Sequence, residues 1–214
     1  MSLLSLLFEQ PLLFLVLLAG FLLALSFHEM SHAWAARTLG DHTAEEQGRL
    51  TINPLAHIDP MGLLLLLVAG FGYAKPVPYN PYRLKDAKWG PILIALAGPA
   101  SNLLLGIIAI GLYGFLVTKL GTSNLLVIAL WFLGKVNIAL ALFNVVPLPP
   151  LDGSKILLHV LDRPQTRSAH RWFEQNGPYL LLLAIVIDIS GLIPVFSWIP
   201  TLSNQIFKAI LGWF

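Results

Sequence analysis

The 214-residue sequence contains no cysteine. This absence excludes disulfide bonds, a thiolate nucleophile and sulfur-ligated metals, so any metal site must use histidine and carboxylate ligands. Charged residues are also scarce, at 11% of the chain against about a quarter in a soluble domain. With 57% hydrophobic residues and a mean hydropathy of +0.76, the composition excludes a soluble domain. It predicts an integral membrane protein surrounded by a lipid bilayer.

Basic charge is neither abundant nor clustered. The formal net charge is +2 and the basic residues are dispersed between apolar segments, so we expect no nucleic-acid partner. No Lys or Arg precedes Arg37, and no small-x-small cleavage site follows the first apolar run. That run is therefore predicted to be a retained membrane helix and not a signal peptide.

The apolar segments predict an all-α polytopic membrane protein with about four to six membrane helices. Stretches long enough to cross about 30 Å of hydrocarbon cover residues 10–39, 89–118, 125–146 and 178–195. Residues 198–214 form either a further short span or an interfacial helix. Residues 61–73 are too short to cross and are predicted to be re-entrant, and residues 49–54 to be an extended piece at the membrane surface.

We expect one membrane-embedded domain over residues 1–214, with a catalytic core at about 10–160 and C-terminal helices at about 164–214. Pro164 suits the first turn of a surface helix that ends at Asn176 and Gly177, before the last span. If residues 61–73 do not cross, the basic loop residues all lie on one side, which the positive-inside rule makes cytoplasmic. These residues are Arg37, Arg49, Lys75, Arg83, Lys85, Lys88, Lys155, Arg163, Arg167 and Arg171.

The inner end of the first span carries the sequence His28-Glu29-Met30-Ser31-His32. On a helix the two histidines lie one turn apart on one face, where both imidazoles can reach one zinc ion, and Glu29 lies beside them as a candidate general base. Counted from Pro11, His28 is about 26 Å along the helix, near the inner edge of the hydrocarbon layer, where ionisable groups are costly. The alternative is a polar helix end at the membrane interface.

A catalytic zinc requires a third protein ligand and an open position for water. Asp152 is the candidate, because it follows the prolines that end the third span and the predicted topology brings it to the same face as His28 and His32. The alternative is that Asp152 caps the helix that starts at Ser154. The other histidines, His57, His159 and His170, are more typical of surface loops or helix ends.

These motifs together resemble the site-2 protease family of intramembrane zinc metalloproteases. The resemblance is carried by the histidine motif, by residues 144–147 and 150–153, and by residues 98–102 at the start of the second span. It covers residues 20–160 approximately and is closest to minimal prokaryotic members without PDZ or CBS domains. It implies a multi-pass protein of a prokaryotic cell membrane, and the positive-inside rule applied above places the active site toward the cytoplasm.

The resemblance implies that His28, His32 and Asp152 hold one Zn²⁺ per chain and that Glu29 activates water for attack on a peptide bond. It also implies that Asn144 contacts the substrate backbone or an oxyanion, unless its amide binds carbonyls freed by Pro147. Asn102 is a second candidate for this role, although small residues in this stretch more often indicate close helix packing.

The implied function is a zinc metalloendopeptidase that cuts transmembrane segments of other membrane proteins. Cleavage needs local unwinding beside open backbone, which residues 49–54 or 61–73 could supply. A non-catalytic zinc-binding scaffold is the alternative, and retention of Glu29 argues against it. A transporter is a third possibility. Its only support is Lys135 and Asp188, which either pair across helices or are solvated separately.

Overall fold

The computed structural model describes residues 3–69, 72–162 and 165–213. These ranges contain nine α-helices and two short 3-10 helices, Pro54–Ala56 and Pro81–Arg83. Within them there is no β-strand, and one isolated antiparallel bridge pairs Ile58 with Ala74. The predicted all-helical class is confirmed. The α-helices are α1 Leu3–Glu9, α2 Pro11–Thr38, α3 Thr43–Glu46, α4 Pro60–Ala69, α5 Gly90–Leu120, α6 Leu125–Asn144, α7 Ser154–Leu161, α8 Arg167–Ile189 and α9 Trp198–Leu211.

Three of the described helices, α2, α5 and α6, are long and apolar enough to cross a membrane. They coincide with the first three predicted spans. Helix α5 packs against both α2 and α6, and α9 packs against α6. The chain is thus an all-helical membrane protein whose candidate spans fit a polytopic architecture, while any crossing beyond these three remains a prediction.

Local sequence sets the limits of the three long helices. Helix α2 begins at Pro11, whose missing amide costs nothing in a first turn, and ends before Gly40, which has φ 103°. Gly121, with φ 78°, ends α5. The Asn124 side chain accepts a hydrogen bond from the Leu126 amide at 2.9 Å and caps α6. Beyond α6, the prolines that follow prevent the helix from continuing.

The predicted break at Gly177 is wrong, because α8 continues through Pro178 to Ile189. Gly177 does not end the helix. It allows α8 to approach the proline loop closely, because a Cβ at Gly177 would lie 2.6 Å from Pro149 Cγ. The predicted helix start at Pro164 lies outside the described residues. Helix α8 is therefore one continuous helix that contacts the proline loop after α6.

Hydrogen bonds tie the early and late parts of the connection between α2 and α5 together. The Arg49 guanidinium donates hydrogen bonds to the carbonyl oxygens of Lys75 and Pro76 at 2.5 and 3.2 Å, and the Lys75 amide donates to the His57 carbonyl. Helix α4 has ten residues, or about 15 Å, which agrees with a segment too short to cross. Because it is helical, most of the open backbone predicted for residues 61–73 is absent.

Lys135 and Asp188 do not pair, so that alternative is wrong. The Lys135 ammonium donates a hydrogen bond to Asn204 Oδ1 and lies 4.7 Å from the centroid of the Phe207 ring. Asp188 Oδ1 instead accepts a hydrogen bond from the Phe196 amide at 2.9 Å. The amphipathic helix α9 thus supplies the partners of Lys135.

Candidate metal centre

His28 and His32 project from one face of α2 toward α5. Both residues are buried, with 5% and 7% of their surface exposed, and their Nε2 atoms are 3.0 Å apart. The i, i+4 spacing that the sequence shows therefore produces the paired imidazoles expected of a metal site.

The loop after α6 brings Asp152 to these imidazoles. Asp152 Oδ2 lies 3.1 Å from His28 Nε2 and 3.3 Å from His32 Nε2. The loop turns back because the Gly153 amide donates to the Asn144 carbonyl at 2.7 Å, so close that a Cβ at Gly153 would overlap the Val145 carbonyl. Helix α7 has no side-chain cap, which excludes the alternative in which Asp152 caps it.

The hydrogen bonds on the far side of each imidazole define the tautomer. His28 Nδ1 lies 2.6 Å from Asn102 Oδ1 and His32 Nδ1 lies 2.7 Å from the Ile94 carbonyl oxygen. Both oxygens are acceptors, so each neutral ring carries its proton on Nδ1 and leaves an Nε2 lone pair for a ligand.

The three convergent atoms fit a divalent cation. Two Nε2 lone pairs and a carboxylate oxygen meet within 4.8 Å of one another, and Asp152 Oδ2 is buried without a hydrogen-bond donor. Such a group of acceptors repels itself unless a positive charge lies between its members. Two imidazoles and one carboxylate also match the donor set of a catalytic zinc with an open fourth position.

Gly98 makes room for the two imidazoles on the α5 side. A Cβ at this position would lie 2.6 Å from His28 Cε1 and closer still to His32 Nε2. Pro99 follows it and removes the amide that would bind the Ala95 carbonyl, one residue after the Ile94 carbonyl that receives His32. The small residues predicted to mark close helix packing thus face the histidines themselves.

Glu29 lies on α2 beside His28, one of the three residues of the metal-ligand cluster, and is 8% exposed. No described residue forms a hydrogen bond or ion pair with its carboxylate. A carboxylate beside a metal-ligand cluster is suited to accept a proton from water.

Asn102 and Asn144 both use their side-chain amides in hydrogen bonds within the described structure. Asn102 is fully buried, and its Oδ1 lies 2.6 Å from His28 Nδ1, so its predicted substrate contact stays a prediction. Asn144 donates from Nδ2 to the Leu140 carbonyl at 3.0 Å, a bond within its own helix that does not involve a carbonyl freed by Pro147. A substrate contact by Asn144 remains a prediction.

The other histidines do not join the cluster. His57 is buried rather than in a surface loop, with 1% exposed, and its Nε2 lies 2.7 Å from the Thr51 carbonyl oxygen. His159 lies beside the Trp89 ring at 5.2 Å between centroids, and His170 Nε2 is 3.9 Å from Glu174. Within the part of the chain that the structure describes, only His28, His32 and Asp152 form a potential metal cluster.

The sequence reasoning missed Asn137. It is fully buried, and its Oδ1 accepts a hydrogen bond from Asn102 Nδ2 at 2.7 Å. An uncharged polar residue in the middle of an apolar span is the signal that could have identified it.

Comparison with known proteins gives a consistent family assignment. The model of Peptidase family M50 matches residues 116–187. "Putative zinc metalloprotease YwhC" of Bacillus subtilis is 36% identical over 189 residues, which cover 85% of this chain and 83% of that protein. "Putative zinc metalloprotease Rip2" of Mycolicibacterium smegmatis is 34% identical over 206 residues, covering 94% of this chain and 73% of that protein.

The Mycobacterium tuberculosis H37Rv protein that is also called Rip2 is 31% identical over 211 residues, which cover 91% of this chain and 78% of that protein. No solved structure matches the chain. The length and identity of these matches extend the resemblance beyond the short motifs and show that the chain belongs to peptidase family M50, the site-2 proteases.

Proposed function

We propose that this protein is an intramembrane zinc metalloendopeptidase that hydrolyses peptide bonds within or near transmembrane segments of other membrane proteins. The observation that carries the proposal is the convergence of His28, His32 and Asp152. Their three ligand atoms are all hydrogen-bond acceptors, with no hydrogen-bond donor among them. Membership of family M50 supports the same reaction.

His28, His32 and Asp152 would hold one zinc per chain. When bound, zinc supplies a Lewis acid that polarises the peptide carbonyl and lowers the pKa of the attacking water. Glu29 takes the proton from that water and returns it to the leaving amine, so that no covalent bond between the chain and the substrate is needed. The bond that breaks is the peptide C–N bond, and the water supplies the new carboxyl oxygen.

The site opens toward the cytoplasm in this proposal. His28 lies about 26 Å along α2 from Pro11, which we expect to be near one edge of the hydrocarbon layer, and the positive-inside rule predicts the basic loops at that edge. The chain has no cysteine, so single-cysteine variants can report the orientation. A membrane-impermeant maleimide applied to intact cells should label Ser123→Cys in the loop between α5 and α6. It should leave Lys88→Cys unlabelled, and the reverse pattern would refute the orientation.

Glu29→Gln is the test of the reaction. We expect this variant to keep its zinc and to lose about 10²–10⁴-fold in cleavage rate on a reporter transmembrane substrate, because only the proton acceptor is removed. Glu174→Gln, at an exposed glutamate on α8, is the matched control and should retain activity. A Glu29→Gln variant as active as the parent would refute the mechanism.

The non-catalytic scaffold gives a different result in the same assay. A scaffold would bind zinc and the reporter substrate without cutting it, and Glu29→Gln would leave that binding unchanged. Zinc binding with no cleavage by the parent protein would therefore replace the protease proposal with the scaffold.

A further inference from the structure

Behind His28, two buried asparagines link the metal-ligand cluster to the middle of α6. Asn102 of α5 and Asn137 of α6 are both fully buried. Asn102 Oδ1 lies 2.6 Å from His28 Nδ1, and Asn102 Nδ2 donates to Asn137 Oδ1 at 2.7 Å. Asn137 Nδ2 in turn donates to the Leu133 carbonyl of its own helix at 2.8 Å.

The backbone fixes the direction of this chain of hydrogen bonds. Asn102 Nδ2 also donates to the Ala24 carbonyl at 3.2 Å, so both of its N–H groups are used. Turning the Asn102 amide around would point its oxygen at the Ala24 carbonyl. Turning Asn137 around would point its oxygen at the Leu133 carbonyl. Carbonyl oxygens only accept, so neither amide can reverse without losing a bond in a buried site.

The consequence reaches the metal-ligand atom of His28. Because Asn102 presents an oxygen, the His28 ring must place its proton on Nδ1, and its Nε2 lone pair then points at Asp152 and His32. The contact with Ala24 lies one turn before His28 on α2, so Asn102 holds both the ring and the helix that carries it.

We propose that Asn137 and Asn102 are positioning residues that hold His28 in its Nδ1-protonated tautomer and thereby raise the affinity of the site for zinc. The inference rests on the proposed function for the identity of the metal. It assigns to Asn102 a role behind the ligand, and it gives Asn137 a role through Asn102 alone. In metal sites, loss of a hydrogen-bond partner behind a histidine costs about 10–100-fold in metal affinity.

The test measures zinc affinity by chelator competition on the detergent-purified full-length protein. Asn102→Ala should bind zinc about 10–100-fold more weakly than the parent. Asn137→Ala should show a smaller loss, because Asn102 keeps its bond to Ala24. Because Asn137 acts through Asn102, the double variant should bind zinc no more weakly than Asn102→Ala alone.

A spectroscopic measurement separates positioning from a general loss of structure. In zinc-loaded protein labelled with ¹⁵N-histidine, the parent should show two slowly exchanging Nδ1–H protons, one donated by His28 to Asn102 and one by His32 to the Ile94 carbonyl. Asn102→Ala should lose protection of the first and retain the second. His32 thus provides an internal control in each sample.

Ile138→Ala is the matched packing control. Ile138 is the neighbour of Asn137 on α6, is fully buried, and packs with Ile110 and Phe207. This variant should lower the melting temperature without changing zinc affinity or either Nδ1–H proton. If Asn102→Ala does not fold, Asn137→Ala alone decides the proposal by the same two readouts.

Three outcomes would overturn the inference. If the parent is an active protease and both Asn102→Ala and Asn137→Ala bind zinc as tightly as it does, the positioning role is refuted. The proposed function then still stands. An equal loss of zinc affinity in Ile138→Ala would show that the asparagine variants weaken zinc binding only through altered packing. A parent protein that binds no zinc would refute the proposed function and the inference with it.

Discussion

His28 Nε2 and Asp152 Oδ2 lie 3.1 Å apart, although two long helices separate these residues in the sequence. Neither atom has a proton to share when His28 is protonated on Nδ1, so the contact is favourable only with a cation between them. We therefore expect Asp152→Asn to bind zinc at least about 100-fold more weakly, since it removes a charged ligand and not merely an outer partner. Chelator competition on the purified protein measures this affinity, and elemental analysis after dialysis against the chelator measures the zinc that remains.

Asp188→Asn is the control for that prediction. Asp188 is a carboxylate in the apolar half of α8, and its bond to the Phe196 amide can be made equally by an asparagine oxygen. It should keep one zinc per chain. If Asp152→Asn retained the full zinc content, Asp152 would not be the third ligand.

Much of the site could be predicted because its chemistry is local. The spacing of His28 and His32 requires only a helix, and a continuous apolar run long enough to cross a membrane predicts a helix. Asp152 could be predicted as the third ligand because a catalytic zinc needs three protein ligands and because the predicted topology brings Asp152 to the same membrane face as the histidines. The described structure confirms that the three residues converge.

The support behind the ligands could not be predicted, because it depends on the rotation and depth of three helices. Gly98 and the Ile94 carbonyl meet the histidines, and Asn137 meets Asn102, only in the observed packing of α2, α5 and α6. The same reason explains the failed pairing of Lys135 and Asp188. Hydropathy placed both residues in apolar segments, but nothing in it showed that α9 would lie against α6 and offer Asn204.

Gly98→Ala tests the close approach of α5 to the imidazoles. The added methyl would overlap both rings, so α5 must move away or the rings must turn from their shared centre. We expect loss of most bound zinc and of cleavage, measured by elemental analysis and the reporter assay.

Gly134→Ala is a steric match for that substitution, since its Cβ would lie 2.6 Å from Ile110 Cγ1 at the contact between α5 and α6. It should lower thermal stability and leave zinc stoichiometry at one per chain. Equal zinc loss in both variants would mean that any disturbance of α5 empties the site, and that the space at Gly98 has no special role.

The partner of Lys135 can be identified by a double-mutant cycle. Lys135→Met and Asn204→Ala should show a coupling energy of about 0.6 kcal/mol and no more than about 1.7 kcal/mol, the mean and the maximum for hydrogen bonds between membrane helices. Lys135→Met and Asp188→Asn should show none. Reversing the charges of Lys135 and Asp188 together should not restore stability lost in the single reversals, and a restored melting temperature would contradict the observed contacts.

Asp41 should make the stability of the loop after α2 depend on pH. Burial by itself raises the pKa of this carboxyl, but hydrogen bonds from the Thr43 hydroxyl and from the Asn80 and Thr43 amides, together with Arg83, lower the pKa below its usual range. A lowered pKa means that folding favours the ionised form. Its contribution is fully present above the unfolded-chain pKa of about 3.9 and is lost as the pH falls through the folded pKa.

Asp41→Asn should therefore be less stable than the parent by about 1–3 kcal/mol at neutral pH, since an amide group would face donors in a buried site. The difference in melting temperature between the two proteins should narrow once the pH falls below about 4. Thr43→Val removes one donor and raises the folded-state pKa of Asp41 toward the unfolded value, so its acid-dependent loss of stability should be smaller than in the parent and should end at a higher pH. If the difference in melting temperature between the parent and Asp41→Asn stays constant as the pH falls from about 7 to about 3, the charge of Asp41 does not stabilise this loop.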